Sequence, residues 1–394
     1  MSISKKIFII SSVLLASVLF FMGIYNVSFK EKNNSANTKN SAEKNITSEN
    51  DGKNTLEKIV EKVGFSKNKN KIYSLSDEAV VAPVVTDDGE KIVYYTKKNG
   101  SVYKVFLNGE GKEFHSNNNF SGLENIFWST DRSKVISRFN NNGKIEYSTY
   151  DYNIKKGFKL ANGIEYAVWG NLGDQIVYKY KDSKTDKKTI NISNYDGSNW
   201  KKIVDISMND IWLAPVPQSS FVSFWNNPNS FNETSLNLVS TIGGEARSIF
   251  SGRFGADYSW SPNGTKILVS YVESKGGMKI WLALINSNGG EFQNLNIPTF
   301  VSKCTWSKDS KTIYYALPTF SSENHVLPND YQSGKVSTVD TFWKMDIVSG
   351  KSERIIELKD IDNSYDASNL FLSSSEDILF FTNKKDGKIY GINL

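Results

Sequence analysis

The chain has 394 residues, of which 39% are hydrophobic and 13% aromatic, so it is long enough to bury a large core or two smaller ones. Its net charge of +5 comes from the first 70 residues, and the near-neutral remainder lacks the basic surface that nucleic-acid binding needs. Cys304 is the only cysteine, which excludes an internal disulfide and a zinc cluster. We expect Cys304 to be a small buried core residue and not a reactive thiol.

An apolar run of 19 residues without a charge, residues 7–25, follows Lys5 and Lys6. A run of this length can cross a bilayer as a helix, and the lysines before it keep the short amino terminus in the cytoplasm. A cleaved signal peptide is the alternative, but no A-x-A-like cleavage site follows. Residues 1–30 are therefore predicted to be a single-pass signal anchor in the cell membrane, with the rest of the chain on the extracytoplasmic side. The Asn- and Lys-rich composition is typical of bacterial proteins.

Residues 31–70 separate this anchor from the rest of the chain. Residues 31–53 have almost no large apolar side chain and are predicted to form a flexible polar linker. Apolar residues between 54 and 64 then recur at helical spacing, which predicts a short amphipathic helix. Packing on the edge of the domain, or fraying in the linker, is favoured over a dedicated partner helix.

From residue 71 onward one pattern repeats: an apolar strand, a tight turn that begins with Trp-Ser or a related pair, and a β-branched strand. The turn markers of the successive copies are Val85, Trp128, Trp169, Ala214, Trp260, Trp306 and Phe371. Their spacings are 43, 41, 45, 46, 46 and 65 residues, and most of these match the length of one four-stranded blade. The repeat therefore predicts an all-β domain over residues 71–394, a seven-bladed β-propeller of four-stranded blades.

Two copies carry the motif most fully, WSPNG at residues 260–264 and WSKD at residues 306–309. They resemble the W-S-P-D-G turn of TolB-like, WD-repeat-like propellers, and this resemblance implies a propeller with a binding or scaffolding role. The two ends of the region also agree with a closed propeller. Residues 71–76 resemble a fourth strand, and residues 388–394 resemble a third strand without a fourth. We therefore expect the two ends to pair and complete the last blade.

Catalytic signatures are absent from the sequence. The two histidines, His115 and His325, are far apart in the chain, and no H-E-x-x-H or G-x-S-x-G motif exists. Acidic residues such as Asp87, Asp88 and Asp131 fall at turn positions, where bonding to nearby backbone amides is favoured over a catalytic pair. The repeated tryptophans are expected to pack between blades before they serve as ligand platforms. The sequence thus predicts a protein that is not an enzyme, with no cofactor and no metal site.

One segment interrupts the repeat. Residues 319–341 form an insertion between the second strand of the sixth blade (Ile313 to Pro318) and its third (Phe342 to Ile347). In an antiparallel blade this loop lies on the face where the chain enters the blade, near the channel mouth. The predicted partner-binding residues are Phe320, His325, Asp330, Tyr331, Asp340 and Trp343. Contact with a partner and a lid over the channel are equally favoured, ahead of a catalytic or metal role.

These observations predict a membrane-anchored extracytoplasmic β-propeller that acts as a non-catalytic binding or scaffolding module. Its expected partner is a protein, peptide or glycan of the cell envelope or the extracellular space. The alternatives are a hydrolase or lyase that acts at the insertion-bearing channel mouth, and an accessory subunit of a partner enzyme. An acidic or histidine cluster at the mouth favours an enzyme, whereas an exposed aromatic patch favours a binding module.

Overall fold

The computed structural model describes residues 72–117 and 120–394, and these residues form mainly strands and turns. The predicted transmembrane segment 7–25, the polar linker 31–70 and the short helix 54–64 lie outside the described residues. Within the described part of the chain, no helix is long and apolar enough to cross a membrane.

The described residues form 27 strands and three short helical turns. The first nine strands are β1 (Ile72–Ser74), β2 (Val80–Val85), β3 (Lys91–Thr96), β4 (Val102–Phe106), β5 (Glu113–Ser116), β6 (Leu123–Trp128), β7 (Lys134–Asn141), β8 (Lys144–Asp151) and β9 (Lys156–Lys159). The next nine are β10 (Ile164–Trp169), β11 (Gln175–Lys181), β12 (Lys188–Asn194), β13 (Lys201–Ile206), β14 (Ile211–Pro215), β15 (Phe221–Asn226), β16 (Glu233–Ser240), β17 (Arg247–Trp260) and β18 (Lys266–Val272). The last nine are β19 (Ile280–Asn286), β20 (Gln293–Ile297), β21 (Cys304–Trp306), β22 (Thr312–Phe320), β23 (Thr338–Asp346), β24 (Ser352–Arg354), β25 (Ala367–Leu372), β26 (Ile378–Asn383) and β27 (Ile389–Asn393). The helical turns are the α-helix α1 (Asn329–Gln332) and the 3-10 turns Val301–Lys303 and Leu358–Asp360.

All strand pairs are antiparallel, and in the described residues they build six sheets. Five sheets have four strands each, in the orders β2-β3-β4-β5, β6-β7-β8-β9, β10-β11-β12-β13, β21-β22-β23-β24 and β1-β27-β26-β25. The sixth runs from β14 to β20, because the 14-residue β17 pairs with β16 through its first part and with β18 through its last part. If β17 is counted once for each part, the sheets correspond to seven four-stranded groups. This confirms the all-β prediction and agrees with a β-propeller.

The two ends of the region pair as predicted. β1 is the edge strand beside β27, with Ile72 opposite Ile392 and Ser74 opposite Tyr390. The backbone N–H of Leu75 extends this pairing with a hydrogen bond of 2.9 Å to the carbonyl of Ile389. This contact closes the last sheet with a strand from the beginning of the domain, so no disulfide is needed to hold the ends together.

Buried apolar side chains lie between consecutive sheets. One core cluster joins Tyr147 of the second group to Trp169 of the third, and another joins Leu75 and Ile92 to Phe380 of the last sheet. The tryptophan rings also bond across these interfaces: Trp169 Nε1 donates to the carbonyl of Phe127 at 2.7 Å. Trp169, Trp260 and Trp306 are buried, which confirms that these repeat tryptophans are packing residues.

The turns after the first strands have a common geometry. The N–H of Ser261, the residue after the marker Trp260, donates to the carbonyl of Lys266 at 2.9 Å. In the fourth and seventh groups the corresponding donors are Val216 and Ser373, which bond the carbonyls of Phe221 and Ile378. The true markers there are the preceding residues, Pro215 and Leu372. The predicted markers Ala214 and Phe371 are thus wrong by one residue, because these copies lack the Trp-Ser pair that fixes the register.

Two of the acidic turn residues, Asp88 and Asp131, accept hydrogen bonds within their own turns, as predicted. Asp88 accepts a hydrogen bond of 2.6 Å from Thr86 Oγ1 and one of 3.0 Å from the N–H of Glu90. The hydrogen bond from Thr86 lowers the pKa of Asp88. A second such carboxylate, Asp131, accepts hydrogen bonds from Ser129 and Ser133. Both side chains therefore stabilise their own turns.

The predicted insertion is shorter than expected. β22 extends to Phe320 and β23 begins at Thr338, and these two residues are paired. Only residues 321–337 therefore lie outside the sheet. Cys304, at the start of β21, is half-buried, and its thiol donates to the carbonyl of Phe300 at 3.2 Å. Burial raises the pKa of this thiol, which agrees with a packed and unreactive cysteine.

Replacement of Ile72 by Asp should destabilise the domain by about 3 kcal/mol or more, because it places a charge in the apolar contact of β1 with the last sheet. Ser74→Asp is the matched control, since Ser74 is exposed on the same strand. Thermal unfolding measures both variants. An Ile72→Asp melting temperature equal to that of Ser74→Asp would contradict the closure described here.

Candidate functional site

The two faces of the propeller differ in the segments they present. The loops from second to third strands, and the segments that enter each first strand, lie on one side, which we call the mouth face. The turns from first to second and from third to fourth strands lie on the other side, the turn face. Neighbouring first strands, such as β2 with β6 and β10 with β14, contact one another, so they surround the axis of the propeller.

One position recurs near the mouth face, three residues before each turn marker. It is occupied in chain order by Ala82, Asn125, Tyr166, Trp212, Asp257, Lys303 and Asn369. Six of these residues are exposed or half-buried, and Lys303 alone is buried. Because the first strands surround the axis, this ring defines the channel mouth.

Two aromatic rings lie next to each other at the mouth. The ring centroids of Tyr166 and Trp212 are 5.5 Å apart and tilted by 56°, and Phe127 packs edge-on against Tyr166 at 6.1 Å. Trp212 is 40% exposed, and its Nε1 donates to Asn227 Oδ1 at 3.0 Å. The indole is thus held by a hydrogen bond at one edge while part of its surface faces solvent.

Two ion pairs flank these rings. Arg138 pairs with Glu124, whose other oxygen accepts a hydrogen bond of 2.6 Å from Asn140. Lys179, which is only 2% exposed, pairs with the half-exposed Glu165. Both acids lie at the beginning of a first strand, and both cations lie in the second half of the adjacent second strand. The mouth therefore offers fixed charges of both signs beside an aromatic surface.

Asp257 is the carboxylate of the ring. Its Oδ1 accepts hydrogen bonds from Trp225 Nε1 at 2.9 Å and from the N–H of Tyr258 at 3.0 Å. None of the Lys, Arg and His side chains in residues 72–117 and 120–394 forms an ion pair with it. Burial therefore prevails over these two hydrogen bonds and raises the pKa of Asp257 to about 6. Burial, with smaller contributions from Tyr147 and Asp257, also raises the pKa of Tyr166.

The insertion folds back onto the neighbouring blades. Leu327, Tyr331 and Val336 are buried in a core cluster with Val272 and Ile280 of the preceding blade. Hydrogen bonds also hold the insertion against the neighbouring blades. The N–H of Leu327 donates to the carbonyl of Gly277 at 3.0 Å, and Asn329 Oδ1 accepts hydrogen bonds from the N–H and Oγ of Ser230. The segment is therefore an ordered cover at one side of the mouth.

The predicted partner-binding residues have different positions in this cover. Phe320 is half-buried, and its ring centroid lies 4.6 Å from that of His325, with the two rings tilted by 32°. The His325 ring nitrogens lie 2.5 and 3.0 Å from the carbonyls of Ser322 and Met278. Asp330 Oδ2 accepts a hydrogen bond of 2.7 Å from the N–H of Val326.

The other three lie deeper. Tyr331 is 4% and Asp340 1% exposed, so both contact the interior of the protein. Trp343 is half-buried beneath the guanidinium of Arg354, at 4.7 Å. A direct contact with a ligand stays a prediction for the more accessible members, Phe320, His325 and Asp330.

Tyr331 and Asp340 belong to a buried ionic cluster around Lys303. The ammonium of Lys303, which has no exposed surface, lies 2.6 Å from Asp340 Oδ2 and 2.9 Å from Asp366 Oδ1. It also donates to Thr338 Oγ1 at 3.0 Å and to the carbonyl of Ala367 at 2.8 Å. Burial raises the pKa of Asp340 despite the nearby ammonium, whereas hydrogen bonds and the same ammonium outweigh burial and lower the pKa of Asp366.

This cluster attaches the cover to the ring. Tyr331 is the third residue of α1. Its hydroxyl donates a hydrogen bond to Asp366 Oδ1 at 2.8 Å, and its ring stacks on Phe300 at 4.6 Å. Lys384 lies 3.7 Å from the centre of the Tyr331 ring. The cluster thus joins residues of the sixth blade, the last blade and the insertion in one buried network. The orientation of the insertion therefore depends on hydrogen bonds from all three of these segments.

Solved structures share this fold, although neither a family model nor a curated protein sequence matches the chain. An oligogalacturonate lyase in complex with manganese is 13% identical with a TM-score of 0.60, and the match covers 84% of this chain and 94% of that one. A prolyl endopeptidase is 14% identical with a TM-score of 0.54, covering 81% of this chain and 49% of that one. The propeller domain of the Trilobed protease from Pyrococcus furiosus is 13% identical with a TM-score of 0.51, covering 79% and 92%.

Solved TolB structures and another β-propeller domain are also similar to this chain. The predicted resemblance to a β-propeller is confirmed by the matches with TM-scores of 0.51, the Trilobed protease domain and the propeller domain of Cps50 (Swd1). At these identities the likeness establishes the fold and no activity.

The prediction that the chain is not an enzyme needs correction. Two of the similar structures are a lyase and an endopeptidase by name, so a propeller of this fold is compatible with catalysis. The absence of familiar motifs from the sequence carries no weight against it, because a site can be assembled from several blades. Within residues 72–117 and 120–394, no group of three or more His, Cys, Asp and Glu side chains is placed to hold a metal ion. The described residues therefore do not fit a manganese ion such as the one in the lyase structure.

Replacement of Lys303 by Met should destabilise the domain by about 3–5 kcal/mol, because it leaves Asp340 and Asp366 buried without their cation. Lys335→Met is the matched control on the same cover. The Lys335 side chain is 66% exposed in its pair with Asp330, so its loss should cost only about 0–1 kcal/mol. Chemical denaturation of both variants measures the difference, and equal stabilities would contradict the role given to Lys303.

Proposed function

We propose that this protein is a membrane-anchored, extracytoplasmic, seven-bladed β-propeller that binds an envelope or extracellular ligand at its channel mouth. Residues 7–25 serve as the membrane span, residues 31–70 as the tether, and β17 is shared between the fourth and fifth blades. The paired rings of Tyr166 and Trp212 at the mouth carry this proposal. Ligand binding is a step that a scaffold and an enzyme have in common.

Among a protein, a peptide and a glycan, the mouth fits a glycan best. The apolar face of a sugar ring packs on an exposed indole such as that of Trp212, and its hydroxyls need donors and acceptors close by. Asn125, Glu124 and Arg138 supply these groups on the second blade, which adjoins the blade of Tyr166. The structural likeness to an oligogalacturonate lyase supports the same ligand class, since that protein is named for a carbohydrate.

A second candidate function is catalysis on the bound chain, as a hydrolase or lyase. The observation that favours it is Asp257, a carboxyl group in the ring whose burial raises its pKa to about 6. A group with this pKa exchanges protons near neutral pH, as a general acid or base does. Asp257 is therefore the catalytic residue in this variant of the proposal, and Trp212 is the residue before it in the ring.

Replacement of Trp212 by Ala should weaken glycan binding about tenfold or more, because it removes half of the aromatic surface at the mouth. Trp200→Ala is the matched control, since Trp200 is also 40% exposed but lies directly before β13, the outer strand of the third blade. Intrinsic fluorescence titration of the full chain with chitotetraose, cellotetraose and oligogalacturonate measures both variants. Equal affinities of the two variants, or no binding by the native chain, would contradict the proposal.

Replacement of Asp257 by Asn tests the catalytic variant. In the native chain the carboxylate form prevails above about pH 6, so activity that needs a base should rise through that pH and then level off. Asp257→Asn should abolish this rise and lower turnover at least a hundredfold while glycan affinity is retained. Product release from the same oligosaccharides, measured from pH 4 to pH 9, gives the profile. Asp309→Asn, in the β21–β22 turn of the opposite face, serves as the control. An unchanged profile in Asp257→Asn would refute the assignment.

A further inference from the structure

A cleft opens between the first and second blades on the turn face. Its volume is about 620 Å³, which is large enough for a small organic ligand. The turns β2–β3, β6–β7 and β8–β9 form its rim. Six further lining residues lie in or next to the strands of the two blades: Val93, Lys104, His115, Trp128, Tyr150 and Tyr152. The cleft is therefore separate from the channel mouth, which lies on the opposite face.

Aromatic rings form one wall of this cleft, and Tyr152 is at their centre. Trp128 stacks on Tyr152 with ring centroids 5.8 Å apart and planes 17° apart, and the His115 ring lies 5.7 Å from Tyr152. The Tyr152 hydroxyl forms a hydrogen bond with that of Tyr95, and Trp128 Nε1 donates to the carbonyl of Ala82 at 2.9 Å. These contacts fix the rings before any ligand binds. A fixed aromatic wall suits a ligand with a flat ring of its own.

The cleft also contains an ammonium group without a partner. Lys104 is half-buried, and it forms no ion pair or hydrogen bond with the other residues that the structure describes. Two other clefts, on the third and sixth blades, contain lysines that are paired. There Lys202 lies 2.7 Å from Asp205, and Lys344 lies 3.7 Å from Glu353. The Lys104 ammonium is instead available to bind a carboxylate of a ligand.

His115 adds flat surface to the cleft without adding charge. Burial lowers the pKa of His115, and the nearby Lys104 ammonium lowers it further. The imidazole is therefore neutral at pH 7. Lys104 is then the charged group beside the aromatic wall.

Carboxylates in the rim limit the charge that a ligand can carry. Asp87, Asp88 and Asp131 line the cleft, and they balance the three Lys and Arg side chains that also line it. Hydrogen bonds within its turn lower the pKa of Asp88. For Asp131, similar hydrogen bonds outweigh burial and lower the pKa to about 2, so both groups are ionised at neutral pH. A ligand with several negative charges is repelled by this rim, whereas a single carboxylate can pair with Lys104.

We propose that the cleft between the first and second blades binds a small planar molecule that carries one carboxylate. Its ring packs against Tyr152 and His115, and its carboxylate pairs with the Lys104 ammonium. This second site goes beyond the proposed function, because it needs no residue of the channel mouth. The two sites can therefore be tested one at a time.

Isothermal titration calorimetry of the full chain tests the ligand class with three probes. Indole-3-acetate has a flat ring and a carboxylate, indole-3-acetamide lacks the charge, and cyclohexaneacetate lacks the flat ring. Indole-3-acetate should bind at one site, and the other two probes should bind about tenfold more weakly or worse. Equal affinities for the three probes, or no binding of indole-3-acetate, overturn the proposal.

Variants of the full chain locate the site. Lys104→Met should weaken indole-3-acetate binding about tenfold or more, because it removes the charged partner of the carboxylate. Lys98→Met is the matched control, since Lys98 is exposed in the β3–β4 turn on the mouth face of the same blade. His115→Ala, at an exposed position that leaves the core intact, should weaken binding about threefold.

Trp212→Ala separates this cleft from the channel mouth. Indole-3-acetate should bind this variant as it binds the native chain, even if glycan binding is lost. If binding is lost in Trp212→Ala and retained in Lys104→Met, the probe occupies the mouth and the proposal is overturned. Equal binding by Lys104→Met and Lys98→Met also overturns it.

Discussion

The packing of each sheet against the next is the constraint on which the rest of this structure depends. A single four-stranded sheet leaves both apolar faces exposed, so its side chains are buried only when another sheet covers each face. The core clusters accordingly join consecutive sheets, and the pairing of β1 with β27 lets the first and last sheets share one as well. Closure thus comes from strand pairing and apolar contact alone, in a chain with one cysteine.

Repetition of the blade brings the same position of each first strand to the axis, and differences among the copies then give the mouth its chemistry. Tyr166 and Trp212 supply aromatic surface, and Asp257 supplies a carboxyl with a pKa of about 6. Lys303, at the equivalent position of the sixth blade, is buried by the insertion and becomes the centre of an ionic cluster. One side of the mouth is thus open and polar-aromatic, while the other is closed by a cover that the cluster holds.

The sequence was sufficient for features that depend on period and local patterning. These include the blade length, the pairing of β1 with the last strand and the insertion in the sixth blade. It was insufficient where residues distant in the chain meet: Lys303, Asp340 and Asp366 carry no local signal of their contact. Tyr166, Trp212 and Asp257 were missed although they share one offset from the turn markers, because the offset has meaning only after the register is known. Tyr331 was placed on a surface, yet packing on Phe300 buries it.

The central claim is that ligands meet the protein at the channel mouth. Site-specific photo-crosslinking in native membranes tests it most directly, with the photoreactive residue at Asn125 in the mouth or at Trp200 on the outer edge of the third blade. The account predicts a discrete adduct from position 125, competed by added oligosaccharide, and none from position 200. Adducts from position 200 alone, or from neither position, would contradict it.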